Sequence, residues 1–191
     1  LRSRGLGDVY KRQYLDYVSH RPGVQLNGEH GLWCAGGKVR NLSQAVREVA
    51  EYTGSVWTPV VAIRREDAER LGYNDAESWR QLVCACAPEI ARGYKIPLEY
   101  LRWYAAFHRK EDSVHIHMVV FSSDPKEGYL TKQGIQQVKS AFGRRIFQQD
   151  LLHVYEQKTE YRDALGRDAE RTMTELIAQM ETGQLQNENL E

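Results

Sequence analysis

The chain has 191 residues, 26 basic and 26 acidic side chains, and a formal net charge of +0 at pH 7. That length suits one domain with a core of its own, and the charge balance gives none of the global basic signal that marks many nucleic-acid binders. No apolar run approaches the roughly 18 residues of a membrane span and no signal peptide is recognisable, so a cytoplasmic protein without membrane insertion is expected. Cys34, Cys84 and Cys86 are odd in number and form no zinc spacing, which fits reduced cysteines without a function.

Residues 1–12 show no periodicity or caps, and the string Arg4-Gly-Leu-Gly-Asp-Val-Tyr-Lys-Arg-Gln13 looks like translated adapter sequence of the kind found in metagenome assemblies. We treat them as non-native and expect a fragment truncated at both ends. Tyr14, Tyr17 and Val18 have helical spacing up to Pro22-Gly23, and the glycine-rich residues 19–40 read as loop. Asn41 or Ser43 is placed to cap a helix over 44–52, with Val46, Val49 and Ala50 on its apolar face. Residues 56–63 are β-branched and aromatic, hence a strand whose Pro59 belongs at an edge, a bulge or the strand start. A helical turn at 67–71 closes on Gly72. Asn74 or Asp75 then caps a helix burying Trp79, Leu82, Val83, Cys86 and Ile90, which Pro88 is expected to kink or end. Strands near 101–108 and 114–122 follow. A long helix from Thr131 carries Ile135, Val138, Phe142, Ile146, Leu151 and Tyr155, weakened by Gly134 and Gly143 by about 1 kcal/mol each. An acidic helix over 168–180 follows Gly166. From Tyr155 onward four basic residues face nine acidic ones, so the remainder is net positive, and Arg64-Arg65 and Arg144-Arg145 are local candidates for phosphate contact.

The strand pair carries the chemistry. In Ser113-Val-His-Ile-His-Met-Val-Val-Phe121 the side chains alternate, so His115 and His117 share one face while Ile116, Met118 and Val120 point into a core. An antiparallel hairpin with equal arms sets His108 opposite His115 and Ala106 opposite His117, which puts three imidazoles on one face. Three neutral imidazoles can hold a divalent metal with open positions; a hydrogen-bonded structural cluster is the plain alternative. An HxHxD metallo-hydrolase needs Asp where Val119 stands, HExxH is absent, and no Ser-His-Asp motif, P-loop or dinucleotide-binding glycine pattern occurs.

His108-x6-His115-x-His117 resembles the third motif of MobP-class conjugative relaxases, the mobilisation nucleases of the HUH endonuclease superfamily. Four further stretches resemble firmicute-type members of that class: Tyr14-Leu-Asp-Tyr-Val-Ser-His-Arg-Pro-Gly-Val24, Arg64-Arg-Glu-Asp-Ala-Glu-Arg-Leu-Gly-Tyr73, Leu101-Arg-Trp-Tyr-Ala-Ala-Phe-His108 and Gly128-Tyr-Leu-Thr-Lys-Gln-Gly134. The resemblance implies an α+β fold, a central antiparallel sheet with helices packed on one face, the metal site on the other, and C-terminal helices beyond. The relaxase domain would occupy 13–165, with 166–191 opening a further helical region; helices around 44–52, 75–90 and 131–155 would cover the face opposite the histidines. It also implies an enzyme that nicks and rejoins one DNA strand at a plasmid or integrative-element origin of transfer through a 5′-phosphotyrosyl bond. Tyr17 is the expected nucleophile and Tyr14 the second choice; His108, His115 and His117 are the expected ligands of Mg²⁺ or Mn²⁺, and Arg64 and Arg65 the candidate DNA contacts. Its partners would be single-stranded origin DNA, relaxosome accessory proteins and a type IV secretion coupling protein. A sheet of the same fold that holds single-stranded DNA without cutting it, or another three-histidine metal-dependent phosphodiesterase, is the alternative.

Overall fold

The computed structural model describes residues 8–188; residues 1–7 of the adapter-like segment lie outside them. Elements follow in the order α1 (Asp8–His20), β1 (Leu32–Cys34), β2 (Gly37–Lys38), α2 (Leu42–Glu51), β3 (Val60–Arg64), α3 (Arg65–Leu71), α4 (Ala76–Tyr94), β4 (Leu101–Arg109), β5 (Ser113–Ser122), α5 (Lys132–Ile146) and α6 (Gln148–Glu188). The chain divides into two units, Leu1–Ile146 and Phe147–Glu191.

The first unit is built on one antiparallel sheet of five strands in the order β2-β1-β4-β5-β3, an α+β arrangement as expected. Period-two alternation in β4 and β5 gives the sheet two different faces. On one face Trp103, Ala105, Phe107, Ile116, Met118 and Val120 are buried. Helix α4 covers it: the Trp79 and Phe107 rings lie 6.4 Å apart, and all five residues expected on the helix's apolar face are buried. Each such side chain contributes about 1.5–3 kcal/mol when fully withdrawn from water. Asp75 caps α4, its Oδ1 accepting from the Ser78 amide at 2.9 Å. Pro88 does not end the helix, which runs on to Tyr94. Ile90, Ala91 and Tyr94 beyond it are buried, and their packing outweighs the one backbone hydrogen bond a proline forfeits.

Helix α5 is capped by Thr131, whose Oγ1 accepts from the Gly134 amide at 2.9 Å, and packs on α4. Phe142 and Ile146 are buried as expected, whereas Ile135 is exposed. Glycine is required at position 134: a Cβ on it would overlap the Gly93 carbonyl, and one on Gly93 would lie 2.9 Å from the Gly134 carbonyl. Two glycines thus let the α4 and α5 backbones touch.

The opposite face carries the histidines over part of its area and a second core over the rest. Leu15 and Val18 of α1 and Ala45 and Val49 of α2 pack there with Leu32, Ala106, Val119 and Phe121. Helix α2 is capped by Asn41, whose Oδ1 accepts from the Gln44 amide at 2.9 Å. It therefore lies on the histidine face beside α1, and not on the opposite face as expected; its amphipathic pattern dictates burial of one side without saying which layer receives it. Residues 8–12, set aside as non-native, continue α1, and Lys11 Nζ donates to the Tyr52 carbonyl at 2.6 Å.

The stretch read as loop contains the short hairpin β1–β2; strands of three and two residues hold no alternation to read. Strand β3 lies at the sheet edge, as Pro59 requires. Trp57 exchanges both backbone hydrogen bonds with Val120, Pro59 accepts from the Met118 amide, and Val60 stands opposite His117. The ladder keeps one register across the proline and loses only the bond that its missing N–H would make.

In the second unit α6 runs unbroken through Gly166, so the helix expected at 168–180 is its continuation. Leu151 and Tyr155, expected in a buried stripe, are 38% and 65% exposed. No helix among the described residues is long and apolar enough to cross a membrane.

Candidate active site

The β4–β5 register sets His108 opposite His115 and Ala106 opposite His117, while β3 places Ala62 and Val60 on the outer side of the same two histidines. All these side chains share one face. The ring centroids lie 5.4 Å (His108–His115), 4.9 Å (His108–His117) and 5.1 Å (His115–His117) apart. The site sits where α1 and α2 stop covering the sheet: His108 and His115 are buried, while Val60 at the open edge is 52% exposed.

The helix α1 crosses this boundary. With Leu15 and Val18 fixed in the core, Tyr14 turns toward the histidines: its hydroxyl is 3.2 Å from His117 Nδ1, and its ring meets the imidazole edge-on at 6.3 Å. The Thr58 side chain lies close enough to the same hydroxyl to influence it. Burial pushes the Tyr14 phenol up to about 12, against the opposing pull of Thr58 and the Arg21 charge, so it stays protonated near neutrality. Tyr17, less than one turn on, is 54% exposed and faces Arg21, whose Cζ lies 5.4 Å from its ring centre. Of the two candidate nucleophiles, Tyr14 is the one whose hydroxyl contacts the cluster.

The donor set suits a metal chemically. Burial first, then the neighbouring His117 and His115, push His108 down to about 4. Burial, His115, Arg21 and Lys110 do the same to His117, and burial, Lys110 and Arg21 lower His115. All three are held as neutral imidazoles, the form that ligates. Both ring nitrogens of His108 are buried without a hydrogen-bond partner, an expensive condition unless something else takes a lone pair. The Val18 carbonyl is close enough to be felt by that ring without forming a hydrogen bond of ordinary geometry. Three imidazoles on one ion at about 2.1 Å would place their centroids roughly 4.5–5.3 Å apart for octahedral to tetrahedral angles, close to the spacings here. Among the described residues no three His, Cys, Asp or Glu side chains already converge in ligating geometry, and His117 engages both nitrogens with Tyr14 and Arg21. Loading would need the rings to turn and His117 to release one contact.

The depressed histidines carry a stability prediction. Between about pH 4 and 6.5 the unfolded chain binds protons that folded His108 and His117 do not, so stability falls as pH drops through that window and is flat above it with respect to these groups. In chelator-treated protein the melting temperature should fall steadily from pH 7 to 4.5, and His108→Phe should shrink the fall; an unchanged slope in that variant would contradict the assignment.

The family model of the MobL relaxases matches residues 27–191. The chain belongs to the MobL relaxases. Comparison with curated proteins and with solved structures returns no match. In this MobL chain the matched stretch includes His108, His115, His117, Thr58, Arg64 and Arg65, and it begins after α1 and the turn at Arg21, so Tyr14 and Tyr17 stand outside it. Arg64 ends β3 opposite Ser113, exposed on the histidine face, and Arg65 opens α3 with its amide bonded to the Asp112 carbonyl at 3.1 Å. His20 pairs with Asp16, and buried His30 accepts from the Leu32 amide; neither touches the MobL cluster. Sequence reasoning missed Thr58 and Arg21. The first was legible as the residue on the same strand face as Val60, the second as the i+4 neighbour of Tyr17.

Proposed function

We propose that this chain nicks one DNA strand at an origin of transfer and rejoins it through a 5′-phosphotyrosyl bond, with the HUH-type histidine cluster as one half of the site and Tyr14 as the other. The observation that carries this reading is the 3.2 Å approach of the Tyr14 hydroxyl to His117 Nδ1. A phenol held at about 12 must give up its proton to become a nucleophile. With the one lone pair of neutral His117 committed to a metal, its remaining N–H would donate to the Tyr14 oxygen and steady the phenolate, while the proton passes to solvent. Tyr14 Oη then bonds to phosphorus, the bond from phosphorus to the 3′ oxygen breaks, and that oxygen leaves with the electron pair and takes up a proton. Rejoining reverses each step, because the phosphotyrosyl ester keeps the bond energy.

A divalent ion, Mg²⁺ or Mn²⁺, on His108, His115 and His117 would supply Lewis-acid polarisation of the non-bridging phosphate oxygens. Single-stranded DNA reaches the cluster from the open edge by β3, where Arg64 and Arg65 are candidates for backbone contacts worth about one unit of salt slope each. Relaxosome accessory proteins and a coupling protein belong to the same reading, as does action in the cytoplasm.

A selection from random sequences tests this. The chain is incubated with Mn²⁺ and a pool of randomised single-stranded oligonucleotides, and denaturant-resistant adducts are recovered and sequenced. A discrete recovered sequence is expected with Mn²⁺ and none after chelation. In titration calorimetry His115→Ala/His117→Ala should bind Mn²⁺ roughly 100-fold more weakly, or not at all. Equal Mn²⁺ binding by that variant would remove the metal from the mechanism, and oligonucleotide binding with no adduct would favour a sheet that holds DNA without cutting it.

A further inference from the structure

We propose that Arg21 is the residue that receives the scissile phosphodiester, its guanidinium held in place by the ring of Tyr17; the inference rests on the nicking reading above. Arg21 Nη1 lies 3.5 Å from His117 Nε2, on the side of the imidazole opposite Tyr14, and its Cζ lies 5.4 Å from the Tyr17 ring centre. The guanidinium is thus flanked by an aromatic ring and the histidine cluster. A phosphate drawn to it would lie beside His117 and within the neighbourhood of the Tyr14 hydroxyl.

Two further observations make this a built position and not a stray surface cation. The first concerns charge. Among the described residues no carboxylate pairs with Arg21, and its positive charge is felt at Tyr14 and at all three histidines, each of which is kept neutral. Lys110 adds charge at His115 and His117 from the hairpin turn. The site holds concentrated positive potential with no anion of its own, which is what a phosphodiester supplies. The second concerns the backbone. The Arg21 amide donates to the Tyr17 carbonyl at 2.9 Å and the Val24 amide to the Arg21 carbonyl at 3.1 Å. Gly23 and Gln25 then bond along β4 at Arg109 and Phe107, and Val24 bridges His108. Gly23 takes φ +89, and a Cβ on it would stand 2.7 Å from the Arg109 carbonyl, so the turn presses directly on the strand that carries His108. Arg21 is therefore fixed to the histidine hairpin through main-chain bonds on one side and to Tyr17 on the other. Tyr17 becomes a positioning residue that acts through its ring, with no role for its hydroxyl.

The experiment uses the oligonucleotide recovered from the randomised pool and measures single-turnover adduct formation with Mn²⁺. Arg21→Ala should slow the step roughly 100-fold, with Arg21→Lys recovering part of the loss; Tyr17→Phe should stay within about threefold of wild type while Tyr17→Ala loses roughly tenfold. The decisive arm replaces the scissile phosphate by a methylphosphonate, which deletes the charge the guanidinium would balance. The Arg21→Ala penalty should then shrink to below about tenfold, an effect that a merely structural arginine would not produce. Should Arg21→Ala misfold by thermal melting, Arg21→Gln takes its place in every arm. A wild-type adduct with an unchanged rate in Arg21→Ala, or the same penalty on both substrates, overturns this inference alone. Absence of any wild-type adduct overturns the nicking reading beneath it.

Discussion

Tyr14→Phe is expected to lower the rate of covalent DNA attachment by at least about 10³-fold while leaving oligonucleotide affinity and the fold nearly intact. The substitution removes one oxygen and keeps the ring that packs against the α1–α2 core. What it loses structurally is the hydroxyl's contact with His117 Nδ1, about 1 kcal/mol for a hydrogen bond of this kind. What it loses chemically is the nucleophile, for which no neighbour in contact with the cluster can substitute. Tyr17→Phe should remain within about threefold of wild type, since that ring keeps its place beside Arg21 without a hydroxyl. Single-turnover kinetics on the two variants side by side checks this; the reverse ranking would move the nucleophile to Tyr17.

The second large effect lies far from the histidines. Gly134→Ala should destabilise the first unit by roughly 3 kcal/mol, the upper end of what overpacking costs, because the atom in the way is a backbone carbonyl that cannot rotate aside. For a chain of this size that is a melting temperature lower by roughly 6–12 °C. Gly143 provides the control in the same helix: a Cβ there meets nothing within 4 Å, so Gly143→Ala should raise stability by up to about 1 kcal/mol through helix propensity alone. Differential scanning calorimetry of the two variants checks both signs. Equal shifts would mean that α4 and α5 do not cross as closely as Gly93 and Gly134 allow.

These two glycines show where sequence reasoning stopped. Both α5 glycines read alike as helix-weakening residues, because propensity is a local property and the value of Gly134 lies in a carbonyl 41 positions earlier in the chain. The histidine hairpin was legible for the opposite reason. Alternation in Ser113–Phe121 and equal arms about a short turn leave one register that buries Ile116, Met118 and Val120, and that register alone puts the three imidazoles together. The caps at Asn41, Asp75 and Thr131 were readable because a capping side chain bonds its own helix.

Elements that depend on partners were not readable. The hairpin β1–β2 is too short to alternate, and α2 has an apolar face that fits either layer. Pro88 sits between buried Cys86 and buried Ile90. Leu151 and Tyr155 continue the spacing of α5 into a helix on which they are exposed. The tyrosines illustrate the same limit at the site. Tyr14 and Tyr17 are separated by less than one turn of helix, and only the packing of Leu15 and Val18 against Val119 and Phe121 decides which hydroxyl is turned toward His117. Arg21, whose contacts span a helix turn and a distant strand, is invisible until those elements are assembled.

The central claim is that Tyr14 and the histidine cluster form a single nicking site. Tandem mass spectrometry of the protein–oligonucleotide adduct, digested to the peptide that carries both tyrosines, tests it most directly. A residual nucleotide is predicted on the Tyr14 phenolic oxygen in wild type, with no adduct in His115→Ala/His117→Ala. A nucleotide on Tyr17, or an adduct that forms equally well without the two histidines, would contradict it.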